Sequence, residues 1–189
     1  MLRVLIYACA AVGSLGLTSV AGAQEVIHAM TGTIRSIAAA QKTFTLFRDN
    51  GSLITFNDVT SGKPGVAYDK DILPDATAAQ SFDETGAYAI VFYYGLIDHP
   101  TAVAVQALGH GPFTATVGTI TSFNEKGRQI AIKDDSGSVH SFKLNASTIA
   151  ESDLGVVEGL KLRAEKGEHI RVVGEVTDGS PTALFLRVM

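Results

Sequence analysis

The chain has no tryptophan and a single cysteine, Cys9. One thiol cannot close an intramolecular disulfide, so a disulfide-stapled scaffold is excluded. Charged residues make up only 18% of the sequence. A disordered polyelectrolyte would carry more, and the glycines lack the three-residue period of collagen. Basic residues are the minority, 15 against 19 acidic, for a net charge of −4. That sign is wrong for nucleic acid, whose phosphates call for a basic face. After residue 23 there is no C-x-x-C, H-E-x-x-H, G-x-S-x-G or S-x-x-K motif, so the common local signatures of metal, redox and acyl-transfer chemistry are missing. What is plentiful is apolar surface: 46% of residues are hydrophobic and the mean hydropathy is +0.22.

Residues 1–23 read as a secretory signal peptide. Arg3 supplies the positive start, Val4 to Val20 is uncharged and mostly apolar, and Ala21-Gly22-Ala23 gives the small-x-small pattern that places cleavage before Gln24. Seventeen residues containing two glycines make a poor membrane span, and no basic stop-transfer cluster follows. Cys9 precedes most of the apolar stretch and does not suit lipidation. The expected product is periplasmic or secreted, with no transmembrane segment, no cysteine, and 14 basic against 19 acidic residues. Its stability then rests on packing.

The sequence repeats itself. A shift of 86 lays Gly32-Thr33-Ile34-Arg35-Ser36 on Gly118-Thr119-Ile120-Thr121-Ser122, Asp49 on Asp135, Gly51-Ser52 on Gly137-Ser138, and Phe56 on Phe142. Eight of 25 columns are identical, where ordinary residue usage gives about one or two. A shift of 81 lays Gly86 on Gly167, Val91 on Val172, and Pro100-Thr101-Ala102 on Pro181-Thr182-Ala183. The reading is a duplication, with domains over 24–110 and 112–189 joined at Gly109-His110-Gly111-Pro112. The first copy carries five extra residues within 57–85.

Each copy reads as short strands broken by turn chemistry. In the second copy the apolar phase jumps at Gly118, which predicts a bulge or bend there. Ile130 and Ile132 alternate next, Asp134-Asp135-Ser136-Gly137 turns a hairpin, and Phe142 and Leu144 share a face. A less regular stretch leads to Ile170-x-Val172, the turn Asp178-Gly179-Ser180-Pro181 and a last strand from Ala183 to Val188. Five strands per copy predict an all-β protein of two tandem five-stranded OB-like barrels, with SH3-like barrels as the alternative. The G-T-I-x-S, D-x-G-S, G-x-x-I-x-V and P-T-A motifs resemble repeats in uncharacterised exported bacterial proteins built of small OB-like β-barrel domains. The resemblance implies a fold and an exported location. It carries over no functional residue.

Candidates for chemistry are few. Ser61-Gly62-Lys63 lacks the earlier glycine of a phosphate loop, and Pro64 occupies the Ser/Thr position. His28, His99, His110, His140 and His169 show no chelating spacing. The repeat sets His140 opposite Ile54, at the rim of a barrel. Asp134-Asp135 and Asp83-Glu84 are turn acids rather than a separated catalytic pair. Neither half offers a basic run, with five basic and nine acidic residues in 24–111 and nine and ten in 112–189. No catalytic residue, metal, cofactor or nucleic-acid partner is therefore expected.

One asymmetry stands out in the fourth strand of each copy. Ala89 and Val91 point inward in copy one, but Ile90, Phe92 and Tyr94 make the other face apolar as well, with Tyr88 beside them. The matching residues of copy two, Arg171, Val173 and Glu175, are mixed. A strand apolar on both faces must be covered, by the chain itself, another subunit or a ligand. The functional expectation is a non-catalytic exported binding or assembly module of the cell envelope. Tyr88, Phe92, Tyr94 and the outward Phe47 are its candidate contacts for a protein, peptide or glycan. An envelope-polymer hydrolase and a metal-handling protein are the alternatives, and homo-oligomerisation stays open. Packing of the two copies would leave a cleft at their junction, a favoured place for ligands.

Overall fold

The computed structural model describes residues 26–58, 75–153, 155–177 and 179–189. Residues 1–23, read as a signal peptide, Ser61-Gly62-Lys63 and most of the 57–85 segment lie outside the described residues. Strands dominate, in two sheets that divide between Gly109 and Thr114. The first sheet holds β1 (His28–Ala38), β2 (Thr43–Arg48), β3 (Leu53–Asp58), β4 (Thr77–Ala78), β5 (Tyr88–Tyr94) and β6 (Thr101–Gly109). The second holds β7 (Thr114–Asn124), β8 (Gln129–Lys133), β9 (Val139–Lys143), β10 (Ile149–Ser152), β11 (Gly155–Glu158), β12 (His169–Thr177) and β13 (Ser180–Val188). No helix among the described residues is long and apolar enough to cross a membrane.

The pairing order decides the architecture. β1 is shared between β2 and β5, β2 pairs with β3, and β5 with β6. A short parallel pairing of β3 with β6 closes the ring. In the second sheet β7 is shared between β8 and β12, and a single parallel bridge from β9 to β13 closes it. Both are five-stranded Greek-key rings of the OB-like kind. Their registers coincide under the shift of 86: Thr33 faces Phe47 as Thr119 faces Lys133, and Leu46 faces Ile54 as Ile132 faces His140.

Alternation explains the cores. Ile34, Leu46, Phe56 and Val91 fill the first ring, and Ile120, Ile130, Ile132 and Val172 the second, all at most 1% exposed. Phe44 stacks on Phe56 at 5.2 Å, and Tyr93 meets Phe56 edge-on at 5.6 Å. Gly51 and Gly137 turn the two hairpins with φ of 82° and 88°, the backbone region the sequence assigned to glycine there.

Two local expectations change. The register shift falls between Ile120 and Ser122, and between Ile34 and Ser36, not at Gly118 or Gly32. Those glycines lack positive φ. They serve close approach, because a Cβ would collide with the carbonyl oxygen of Phe47 at Gly32 and of Lys133 at Gly118. Gly32→Ala is expected to cost about 1–3 kcal/mol by forcing two strands apart. Urea unfolding checks this, and an unchanged midpoint would refute it. The second difference lies before Lys166, where β10 and β11 form a hairpin and β10 runs parallel beside β13. Strands of four residues carry too little alternation to read, and the partner of β10 lies far along the chain.

The barrels pack on each other through the outer faces of β5–β6 and β12–β13. Ala29, Ile90, Phe92, Tyr94, Val103 and Ala104 meet Ile149, Val173 and Phe185 in one buried layer. The second apolar face of β5 is thus covered within the chain. Val173, on the mixed face shared with Arg171 and Glu175, is fully buried by the same packing. The amide of Val156 donates to the carbonyl of Ile27 at 3.2 Å, tying the start of β1 to β11.

Candidate functional site

Beside this apolar layer the junction opens into a cleft of about 530 Å³. Thr31, Arg48 and Asp49 come from the first barrel, and Asp153, Arg171 and Arg187 from the second. Strand alternation sets the two cations of the second barrel: Ile170 and Val172, like Leu186 and Val188, face the ring core, so Arg171 and Arg187 between them point out toward the first barrel. Arg171 pairs in register with Arg187 across the β12–β13 ladder. Arg48 ends β2, just before the hairpin residue Asp49.

Asp49 is the bridge between walls. Its Oδ2 accepts a hydrogen bond from the Tyr88 hydroxyl at 2.7 Å and from Nη2 of Arg171. Nη1 of Arg171 donates to Oγ1 of Thr31 at 2.7 Å. Burial, with Arg187 and Arg48 nearby, pushes the Arg171 guanidinium down to about 10. Arg187 instead leans toward Glu151, its Nε 3.4 Å from Oε2.

Glu151 lies behind the cleft, on β10, and is 3% exposed. Its Oε1 accepts from Nδ1 of His28 on β1 at 3.1 Å, while Oε2 accepts no hydrogen bond. Burial holds its carboxyl above the ordinary range, opposed by Arg187 and His28. Burial also raises the Tyr93 hydroxyl, helped by the Glu151 charge, and the Tyr93 ring lies 5.6 Å from His28. The charged groups at this junction therefore come from both barrels.

The residues singled out from sequence are divided by the fold. Phe92 is fully buried and Tyr94 is 8% exposed, both in the layer between barrels. They belong to packing and not to an open ligand surface, because the second barrel covers the face they share. Tyr88 is half-buried, its ring 5.0 Å from Phe113 and its hydroxyl on Asp49. Phe47 is 45% exposed opposite Leu53 on the β2–β3 hairpin, apart from that layer. His140 stands half-exposed at the β9 rim, its Nε2 donating to Oδ2 of Asp134 at 2.7 Å. Bonds from Ser136, His140 and the Ser138 amide hold the Asp134 carboxyl well below the carboxylate range. That carboxylate is engaged by its own turn. Among the described residues no three His, Cys, Asp or Glu side chains gather as a metal site.

Sequence reasoning missed Arg48, Arg171, Arg187 and Glu151. The pairing of Arg171 with Arg187 had no local signal: Thr177 faces Ser180 across the last turn, a register that alone would set Arg171 opposite Leu186, and the register shift between Val173 and Gly174 moves it opposite Arg187.

No protein-family model matches this sequence, and no curated protein aligns with it significantly. Among solved structures, the crystal structure of Ag(I)CusF is similar over 42% of this chain and 100% of its own, at 9% identity and a TM-score of 0.34.

Proposed function

We propose that this chain is a non-catalytic binding module, exported after loss of residues 1–23, whose ligand site is the cleft between its barrels. One observation supports the reading most: a cleft of about 530 Å³ whose charged groups come from both barrels. That volume lies within the range of small-molecule sites, about 300–1,000 Å³. The non-catalytic part is supported by how the polar groups are employed. Arg171 holds Thr31 and Asp49, Glu151 holds His28, and Asp134 holds its own hairpin. Each is committed to a structural contact.

Amide-resolved NMR of the labelled protein, titrated with a panel of envelope glycans, peptides and small anions, tests this. Shifts are expected to concentrate at Thr31, Asp49, Arg171 and Arg187, with no turnover of any panel member. Shifts confined to other surfaces, or product formation, would overturn the reading. Elemental analysis separates the metal-handling alternative, since one bound metal per purified chain would replace the reading with that one.

A further inference from the structure

Two arginines directly opposite on neighbouring strands repel each other, a destabilising arrangement that sheets avoid. Arg171 and Arg187 stand in this relation on β12 and β13, and Arg48 reaches the same cleft from the first barrel. Their counter-charges are unevenly supplied. Glu151 lies against Arg187 and Asp49 against Arg171. No carboxylate among the described residues forms an ion pair with Arg48. Asp153, the other acid on the wall, is exposed to water, where its field is screened.

We propose that the cleft binds a small organic anion bearing at least two carboxylate or phosphate groups. The inference rests on the binding-module reading and names the ligand class for the same site. One anionic group pairs with Arg48. A second takes the place of the Asp49 carboxylate on Arg171, whose planar fork suits a carboxylate or phosphate face. Val188, at the end of β13, lines the cleft beside them and offers an apolar rest for the carbon frame. Asp49 is then an internal stand-in for the ligand. Its oxygen is held by Tyr88 and Arg171 as a bound anion would be. Tyr88 therefore enters the site through its hydroxyl and not through its ring.

The test is calorimetric titration of the purified protein at low salt with citrate and, separately, fructose 1,6-bisphosphate. Single-site binding is expected for at least one of them, and the tighter one tells carboxylate from phosphate. Arg48→Ala should weaken it about tenfold or more, the scale of one charged hydrogen bond. Asp49→Asn should tighten it severalfold, because Arg171 loses its internal partner. Arg48→Gln, with circular dichroism, guards against a folding defect in the alanine variant. Binding indifferent to both Arg48 variants, or weakened by Asp49→Asn, would overturn the inference. So would silence of both anions towards wild type and Asp49→Asn. If a neutral glycan or peptide still shifts the cleft amides, the binding-module reading survives that failure. If no ligand class does, both fall together.

Discussion

Phe92→Ala is expected to lower the unfolding free energy by about 3–5 kcal/mol, the usual cost of emptying a buried phenylalanine site. The ring is fully buried between the barrels, with Ile90, Tyr94, Val173 and Phe185 in the same layer. Neither ring core collapses to fill the gap, because Phe92 points away from the interior that Ala89 and Val91 line. Equilibrium denaturation should show the loss, and the two sheets should lose their cooperativity, since this layer couples them. Phe47→Ala is the control: a ring 45% exposed should cost well under about 1 kcal/mol. A Phe92→Ala variant as stable as wild type would show that the barrels do not depend on each other.

Glu151→Gln should change how stability responds to pH. In the folded chain burial holds this carboxyl above its ordinary value of 4.5. His28, Arg187, the Tyr93 hydroxyl and the Ala29 amide face it. A folded pKa above the unfolded one means the native chain keeps a proton the unfolded chain has released. The contribution is therefore full below the unfolded pKa and is lost as pH rises through the folded one. In that window wild-type stability should fall by at most about 1.4 kcal/mol per pH unit, the limit for one linked proton. The glutamine variant should lack this fall. Denaturant midpoints across the window for both proteins measure the difference. Parallel profiles would mean that Arg187 and His28 fully offset the burial of the charge.

Much of the fold was legible because it is written in short-range patterns. Ile130 with Ile132, and the Asp-x-Gly-Ser turns, announce strands and hairpins through period and backbone preference alone, and both appear where expected. The bulge position was misread by a few residues. A phase slip in sequence does not say whether a glycine supplies unusual dihedrals or merely makes room, and at Gly118 it makes room. The candidate contacts fared differently for a related reason. An outward aromatic on an isolated strand looks the same whether it meets a ligand or another domain. Phe92 and Tyr94 meet the second barrel.

The site itself was nearly invisible. Arg48, Arg171 and Arg187 are unremarkable surface cations until β2, β12 and β13 bring them to one cleft. Glu151 sits on a four-residue strand that local pattern does not reveal. By itself the sequence determined an all-β chain, its turns, the inward residues of each ring and the need to cover the outer face of β5. Those properties depend on neighbours a few residues apart. Tertiary structure decided what covers that face and which charges meet beside it. Such choices depend on how two separately closed surfaces dock, and no interval along the chain encodes that.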